Sequence, residues 1–320
     1  MKGKQEIGKS MRHMGLVLVT LIGVGSIFVV GATSAPALIP VSACGQILSA
    51  PGEYVLTGDL NCSGTPNNGV TITASDVIFH LAGHTITGDC FSGDGGIVVN
   101  SGISGVQIDG GTVSGFNDGI VLNSSNSRVS GMTITATCVF GMAVSGQSNR
   151  IETNVVTASG LDGIGLGQAS GTIITSNYIY GNTRVGVDIS NFSVDNVVED
   201  NVIDNNGIIS SDGGGVAIFN GADNVIRNNA VNHNFNGILI ESPGNLAQGN
   251  KASGNVDAGI LISQFGAPST VMRNIALANG GFDLDDFSPG CGMNSWKNNT
   301  FRTDVVAGVS DGGPGKGCIR

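Results

Sequence analysis

The chain has 320 residues, of which 52 are glycine; 12% are charged and only 5% aromatic, and the formal net charge is −10. With 40% hydrophobic residues the composition excludes a disordered chain, which combines high charge with low hydrophobicity. The acidic balance argues against nucleic acid or an anionic membrane surface as partner.

Residues 1–37 read as an export signal. Lys2, Lys4, Lys9 and Arg12 precede an uncharged, largely apolar run over 15–32, and small residues at 33–37 offer cleavage after Ala35 or Ala37. The run is long for a signal and short for a membrane span, so a retained N-terminal anchor is the alternative. Without this segment ten basic and 23 acidic side chains remain, a net of −13. The expected location is extracellular or periplasmic, and the expected state a monomer.

Residues 38–68 read as an N-terminal cap: a short strand, a Pro51-Gly52 turn and a second strand between Cys44 and Cys62. A repeat fills 69–305. A glycine followed by an apolar-x-apolar triplet recurs at Gly69, Gly96, Gly119, Gly141, Gly163, Gly186, Gly215, Gly237, Gly259 and Gly281, mostly at intervals of 22 or 23 residues. A fixed period in this range, with strand chemistry and no helical pattern, predicts an all-β solenoid of about ten coils. Two longer intervals place insertions at 89–95 and 207–214. A second landmark gives the column Asn154, Asn177, Asn201, Asn229, Asn250, Asn274 and Asn299, whose amides can hydrogen-bond along the axis at a rung spacing of about 4.8 Å. Residues 306–320 lose the period and read as a C-terminal cap.

All six cysteines follow the export segment, which predicts disulfides rather than a Cys-x-x-Cys metal or redox site. Sequence does not fix the pairing. Locality favours Cys44–Cys62 and Cys291–Cys318, leaving Cys90–Cys138, both of which stand just ahead of a coil.

The Gly-Ile-x-Ile starts and the paired-asparagine units, such as Asn-Val-Ile-Arg-Asn-Asn-Ala-Val at 224–231, resemble the right-handed parallel β-helix proteins of the pectate-lyase-like superfamily, and within them the NosD-like repeat group. The resemblance spans 44–318 and implies the fold. It does not choose an activity, because the group includes lyases, hydrolases, epimerases, adhesins and members without known activity. The Asp-pair and Gly-His-Gly signature of the polygalacturonase-like members is missing: Gly83-His84 continues into Thr85. No motif around Arg184 matches the basic proton abstractor of the pectate-lyase-like members. A copper role, which the NosD name implies, lacks a His/Met cluster in the sequence.

Substrate in such proteins lies along the outward face of one sheet. Here most outward positions after the glycines are small or apolar, and the exceptions are Asp188, Glu241, Asp283, Asp285 and the neighbouring Asp286. Asp188 and Glu241, two coils apart, are the candidate catalytic pair, because an inverting glycosidase needs two carboxyl groups separated by about 6.5–9.5 Å. Solvated surface acids are the bland alternative for both. Asp283, Asp285 and Asp286 are the candidate ligand-binding residues; they could hold Ca²⁺, and no other metal or cofactor is expected. His80 and His84, four apart, fall on one face of a strand-like segment. Arg227 is expected to pair with Glu199 one coil away. The sequence therefore predicts an exported, non-catalytic surface or polysaccharide-binding scaffold, with a polysaccharide lyase, glycoside hydrolase or epimerase as the alternative and NosD-like copper maturation as a second one.

Overall fold

In the computed structural model the described residues are 37–320 except 65–66, 91–92, 209–212, 290–291, 315 and 320. The expected export segment thus lies outside them. Among the described residues no helix is long and apolar enough to cross a membrane.

The chain winds as a right-handed parallel β-solenoid of about 11 turns, with no helix among the described residues. Each turn contributes one short strand to each of three sheets. Among the described residues sheet A has 12 strands, from Ile39–Val41 to Ser295–Lys297; sheet B has 13, from Gln46–Leu48 to Val309–Ser310; sheet C has ten, from Leu60–Asn61 to Ile275–Leu277. Every pairing is parallel except the last, where Val309–Ser310 turns back on Asp304–Val306. The segment 39–61, ahead of the repeat, already supplies strands to all three sheets.

Alternation with a period of two turns one face of each strand into the bore. Sheet A stacks Val129, Ile151, Ile174, Val198, Ile226, Ala247, Val271 and Trp296, and sheet C stacks Ile86, Val113, Ile134, Val156, Ile179, Ile203 and Val231. All are buried. Each Ile or Val removed from water contributes roughly 1.5–3 kcal/mol, and like stacks on like because successive coils repeat one cross-section.

The asparagines are placed at the turns. In the expected column Nδ2 of each residue donates to Oδ1 of the next, from Asn154–Asn177 at 3.0 Å to Asn274–Asn299 at 3.1 Å. The left-handed backbone falls on the residue just before each ladder asparagine, for example Thr153, Ser176 and Asn228. The ladder residue itself is thus free to be buried and to bond. Two further ladders run beside the first: Asn182, Asn206, Asn234, Asn255 and Asn279, and the shorter Asn196, Asn224 and Asn245. The coil-start glycines are needed for space. A Cβ on Gly237 would lie 2.3 Å from the carbonyl oxygen of Gly259 and 2.8 Å from Nδ2 of Asn255.

The last coil corrects the sequence register. Leu284 pairs with Ile260 and Asp285 with Leu261, so the start equivalent to Gly259 is Asp283, not Gly281. Two extra residues in the turn at 263–268 produce the shift, since Asn245 bonds Ser269 whereas Ile240 still pairs with Ile262.

Cys44–Cys62 and Cys90–Cys138 are disulfides, with Cα–Cα distances of 5.5 and 5.8 Å. The second ties the turn ahead of Gly96 to the turn ahead of Gly141, and Sγ of Cys90 lies against the carbonyl of Phe116 in the intervening coil. Cys318 is also disulfide-bonded; its expected partner, Cys291, lies outside the described residues.

Candidate functional site

Parallel pairing lines up the outward face of sheet B as the column Val98, Val121, Ala143, Gly165, Asp188, Ala217, Leu239, Leu261 and Asp285. Beside it runs a second column that includes Ser190, Phe219, Glu241 and Ser263. Two adjoining depressions open on this face. The first, of about 220 Å³, is lined by Phe140, Ala143, Gly165, Gly167, Asp188 and Ser190, among others. The second, of about 460 Å³, is lined by Arg184, Phe219, Leu239, Glu241, Asp257, Leu261 and Phe287 and two polar neighbours.

Asp188 sits on strand Val185–Ser190. It is only 5% exposed although it points away from the bore. Its Oδ2 accepts a hydrogen bond from Nη2 of Arg184 at 2.9 Å, while its Oδ1 is buried and meets no donor. Arg184 leaves the preceding turn and also grips Asp162 of the previous coil, with Nε on Oδ1 at 2.9 Å and Nη2 on Oδ2. Asp162 is fully buried and takes the Val185 amide as well, at 3.1 Å. One arginine thus bridges two buried carboxylates. Burial, then the negative charge of Asp162, pushes the Asp188 carboxyl up to about 7, against the pull of Arg184. The hydrogen bonds to Asp162 push the Arg184 guanidinium up.

The insertion at 207–214 leaves and returns beside this arginine: a Cβ on Gly207 would lie 2.2 Å from the Arg184 carbonyl oxygen and 2.7 Å from Cα of Gly213. The Gly214 amide bonds that same carbonyl. Residues 209–212 of the insertion lie outside the described residues.

The structure puts Asp188 and Glu241 in different depressions. They are two rungs and two residues apart, which strand geometry converts to about 12 Å between Cα atoms. Phe219 stands one rung from Glu241 in its column.

The three C-terminal acids do not converge on one point. Asp283 receives Nδ2 of Asn279 at 2.9 Å, with the Arg302 and Thr303 amides on its other oxygen. Asp286 occupies a bore position and takes Nε1 of Trp296 at 2.8 Å and Nδ2 of Asn294. The outward placement expected for Asp283 is therefore corrected: the register shift puts it in the coil-start position, where it is buried and ends an asparagine ladder. Asp285 does face outward, beside Leu261, and is 7% exposed with Oδ1 meeting no donor. Burial, then Asp257 and Asp286, pushes its carboxyl up to about 7. Among the described residues no group of three or more His, Cys, Asp or Glu could hold a metal ion.

On sheet A, His80 lies between Glu53 and Asp109, at 3.0 and 2.9 Å. His84 pairs instead with Asp59 at 3.3 Å. Arg227 pairs with Glu199 as expected. Asp162 is not among the acids expected from sequence because it precedes its coil-start glycine, outside the outward positions that follow the glycines. Its signal is the column before them, in which Asp118, Phe140, Asp162 and Val185 follow one another.

The model of the right-handed beta helix region matches residues 95–245. Comparison of the sequence with curated proteins finds no match. A variant of the periplasmic alginate epimerase AlgG superposes with a TM-score of 0.64 at 15% identity, over 82% of this chain and 71% of that one. The A-module of the Azotobacter vinelandii mannuronan C-5 epimerase AlgE4 gives 0.57 at 14% identity, over 84% and 86%. The Dettilon tailspike protein gives 0.51 at 14% identity, over 84% of this chain and 60% of that one. With its repeat, its three parallel sheets and these likenesses in fold, the chain has the right-handed parallel β-helix fold, and residues 95–245 match the right-handed beta helix region.

Proposed function

We propose that this is an exported, glycan-acting β-helix protein that receives a polysaccharide along the outward face of sheet B, with Asp188 exchanging a proton with it. One observation carries the reading: a carboxyl group nine-tenths buried, anchored through Oδ2 by Arg184 and with a buried Oδ1 that meets no donor, lines a depression floored by Ala143, Gly165 and Gly167. An orphaned buried oxygen costs roughly 1–3 kcal/mol, and a hydroxyl or ring C–H of a bound sugar would relieve it. The small floor residues leave room for a ring. Burial and Asp162 hold the carboxyl near 7, so both protonation states are available at neutral pH, which suits a general acid or base. Arg184 fixes the carboxyl's orientation, and Asp162 fixes Arg184. The disulfides fit an oxidising compartment.

Asp188 and Glu241 line different depressions, which favours proton abstraction of the lyase or epimerase class over hydrolysis by two facing carboxyl groups. Glu241 then belongs to binding rather than to a catalytic pair. Binding without turnover is the second reading, favoured by the small and apolar residues that make up most of the outward column.

The test is a screen of the exported form against neutral, acidic and amino polysaccharides for binding, depolymerisation and epimerisation, with Asp188→Asn and Glu241→Gln alongside. Turnover that Asp188→Asn abolishes and Glu241→Gln weakens through binding is expected. Turnover that survives Asp188→Asn would sink the assignment, and binding with no turnover on any polymer would replace it with the second reading.

A further inference from the structure

The first depression has walls of two kinds, set on opposite sides of its floor by the turns before and after the sheet B strands. On the side of the preceding turn stands Phe140, with Cδ1 and Cε1 of its ring 3.3 Å from where a Cβ on Gly165 would lie. On the side of the following turn stand Ser190, paired with Gly167 one rung away, and Asn191, whose Nδ2 is 3.5 Å from the Cβ position of Gly167. Neither the Ser190 hydroxyl nor the Asn191 amide is hydrogen-bonded to another described residue. Asp188 follows Gly165 on the floor column, one rung or about 4.8 Å further on.

The two glycines of the floor are not required by the fold. Neither has a left-handed backbone, and a Cβ on Gly167 would meet only the Asn191 amide, at an ordinary contact distance. The floor column elsewhere carries Val121, Leu239 and Leu261. Glycine inside a strand gives up packing and costs chain entropy, and it marks places where something else approaches the backbone closely. The turn that carries Phe140 is, by contrast, tied down. The Phe140 amide donates to Oδ1 of Asp118 at 3.1 Å, and Cys138, two residues earlier, is bridged to Cys90. An open floor therefore lies between an anchored aromatic ring and a pair of unengaged polar groups.

We propose that this depression holds one pyranose ring of the glycan, with a C–H face of the sugar on Phe140 and its hydroxyl rim on Ser190 and Asn191, which makes Phe140 the residue that sets how the sugar is presented to Asp188. The proposal rests on the reading that sheet B receives a glycan, and it assigns the contacts that orient one ring of it. A pyranose is two-sided in the same sense as the depression: C–H groups cover its faces and hydroxyls surround its edge. The C–H groups carry slight positive charge and suit the negative face of an aromatic ring, while a few polar groups in a mainly apolar site fix orientation. An extended peptide would need a free sheet edge to pair with, and the strands beneath this depression are paired on both sides. A hydrocarbon chain would leave Ser190 and Asn191 unused. Because the turn bearing Phe140 is anchored in advance, little ordering remains to oppose binding.

The experiment uses the full exported chain and hexasaccharides of glucose, N-acetylglucosamine, mannuronate and galacturonate as probes, with dissociation constants measured by calorimetry. The probe that wild type binds best should bind Phe140→Trp at least as tightly. It should also shift that variant's tryptophan emission, because the chain's own single tryptophan, Trp296, is buried in the last coil. Phe140→Leu, which keeps an apolar side chain, should bind the same probe about tenfold more weakly, the size of a favourable aromatic contact. Gly167→Val should weaken binding at least as much yet melt no lower than wild type, since a β-branched side chain suits a strand. Loss of binding without loss of stability is the signature that a purely structural role for the floor would not give, and this variant keeps the test open if Phe140→Leu disturbs folding. Phe140→Leu or Gly167→Val binding within about twofold of wild type, or no change in emission from Phe140→Trp, overturns the ring subsite while leaving the glycan groove and Asp188 in place. Failure of wild type to bind all four probes overturns the groove together with the subsite.

Discussion

Replacing Asp188 with asparagine should stabilise the protein, and the gain should depend on pH. The carboxyl rises from an ordinary 3.8 to about 7 in the folded state. A carboxyl raised in this way binds a proton more tightly folded than unfolded. Its contribution to stability is therefore fully present below about pH 4 and is lost as pH rises through 7. A shift of about three units corresponds to roughly 4 kcal/mol once both states are ionised, as an upper figure for a group that can relax. Asparagine keeps the shape and cannot ionise, and Arg184 keeps both of its contacts to Asp162. The difference in unfolding free energy between Asp188→Asn and wild type should thus run from near zero at about pH 3, through about 1 kcal/mol at pH 4.5, to about 2–4 kcal/mol in favour of the variant at pH 8. Urea unfolding of both proteins across that range measures it. A difference that stays flat with pH, or that grows toward acid, would refute the claim that burial and Asp162 hold this carboxyl in its protonated form. The outcome also bears on function, because a group that costs stability at neutral pH and persists there needs another reason to be present.

Asn229→Leu should cost about 3 kcal/mol in the same assay, since the ladder residue accepts from the Asn201 amide and donates to the Val198 carbonyl, and both would be buried without partners; a cost below 1 kcal/mol would mean that the ladder relaxes around the loss. Removing the Cys90–Cys138 bridge with a double serine variant should cost about 4 kcal/mol, from the 48-residue span it closes, checked by unfolding under non-reducing conditions. Asp109 and Glu53 raise the His80 imidazole, so the stability it adds is present below its ordinary 6.5 and is lost as pH climbs through the raised value. His80→Gln should therefore cost at most about 1 kcal/mol at pH 5.5 and nothing at pH 8.5, and an NMR titration of the ring that shows no upward shift would remove the basis for this expectation.

The winding of the chain was legible because it is written locally. A glycine is needed wherever one coil's backbone approaches the next, as at Gly237, and an asparagine wherever a turn must satisfy buried amides. Both constraints recur once per coil. The same logic pointed to Asp188, an acid in a column that stacking would fill with a small or apolar residue. What remained hidden was pairing between coils. Asp162 and Arg184 flank their own coil starts and gain meaning only when the two turns are laid side by side, and the sequence states a period without stating how far a long side chain reaches across it. The last coil misled for a different reason. Gly281 imitates a coil start at the expected interval, whereas the two residues added at 263–268 move the true start to Asp283. Of the two acids expected to face outward there, Asp283 thereby became a ladder end and Asp285 stayed on the outer wall.

Asp283 gives one asparagine ladder a direction and a limit. Every amide-to-amide bond in the ladders has the earlier asparagine donating and the later one accepting, so each ladder passes a demand for an acceptor toward the C-terminal end. Another asparagine at that end would meet the demand and pass it on. Aspartate meets it and passes nothing on, because an ionised carboxylate has no hydrogen to give. The acid that closes a ladder therefore works as a chain terminator in the polymer chemist's sense. It ends that one ladder, whereas the column that closes at Asn299 still donates, to the Val271 carbonyl.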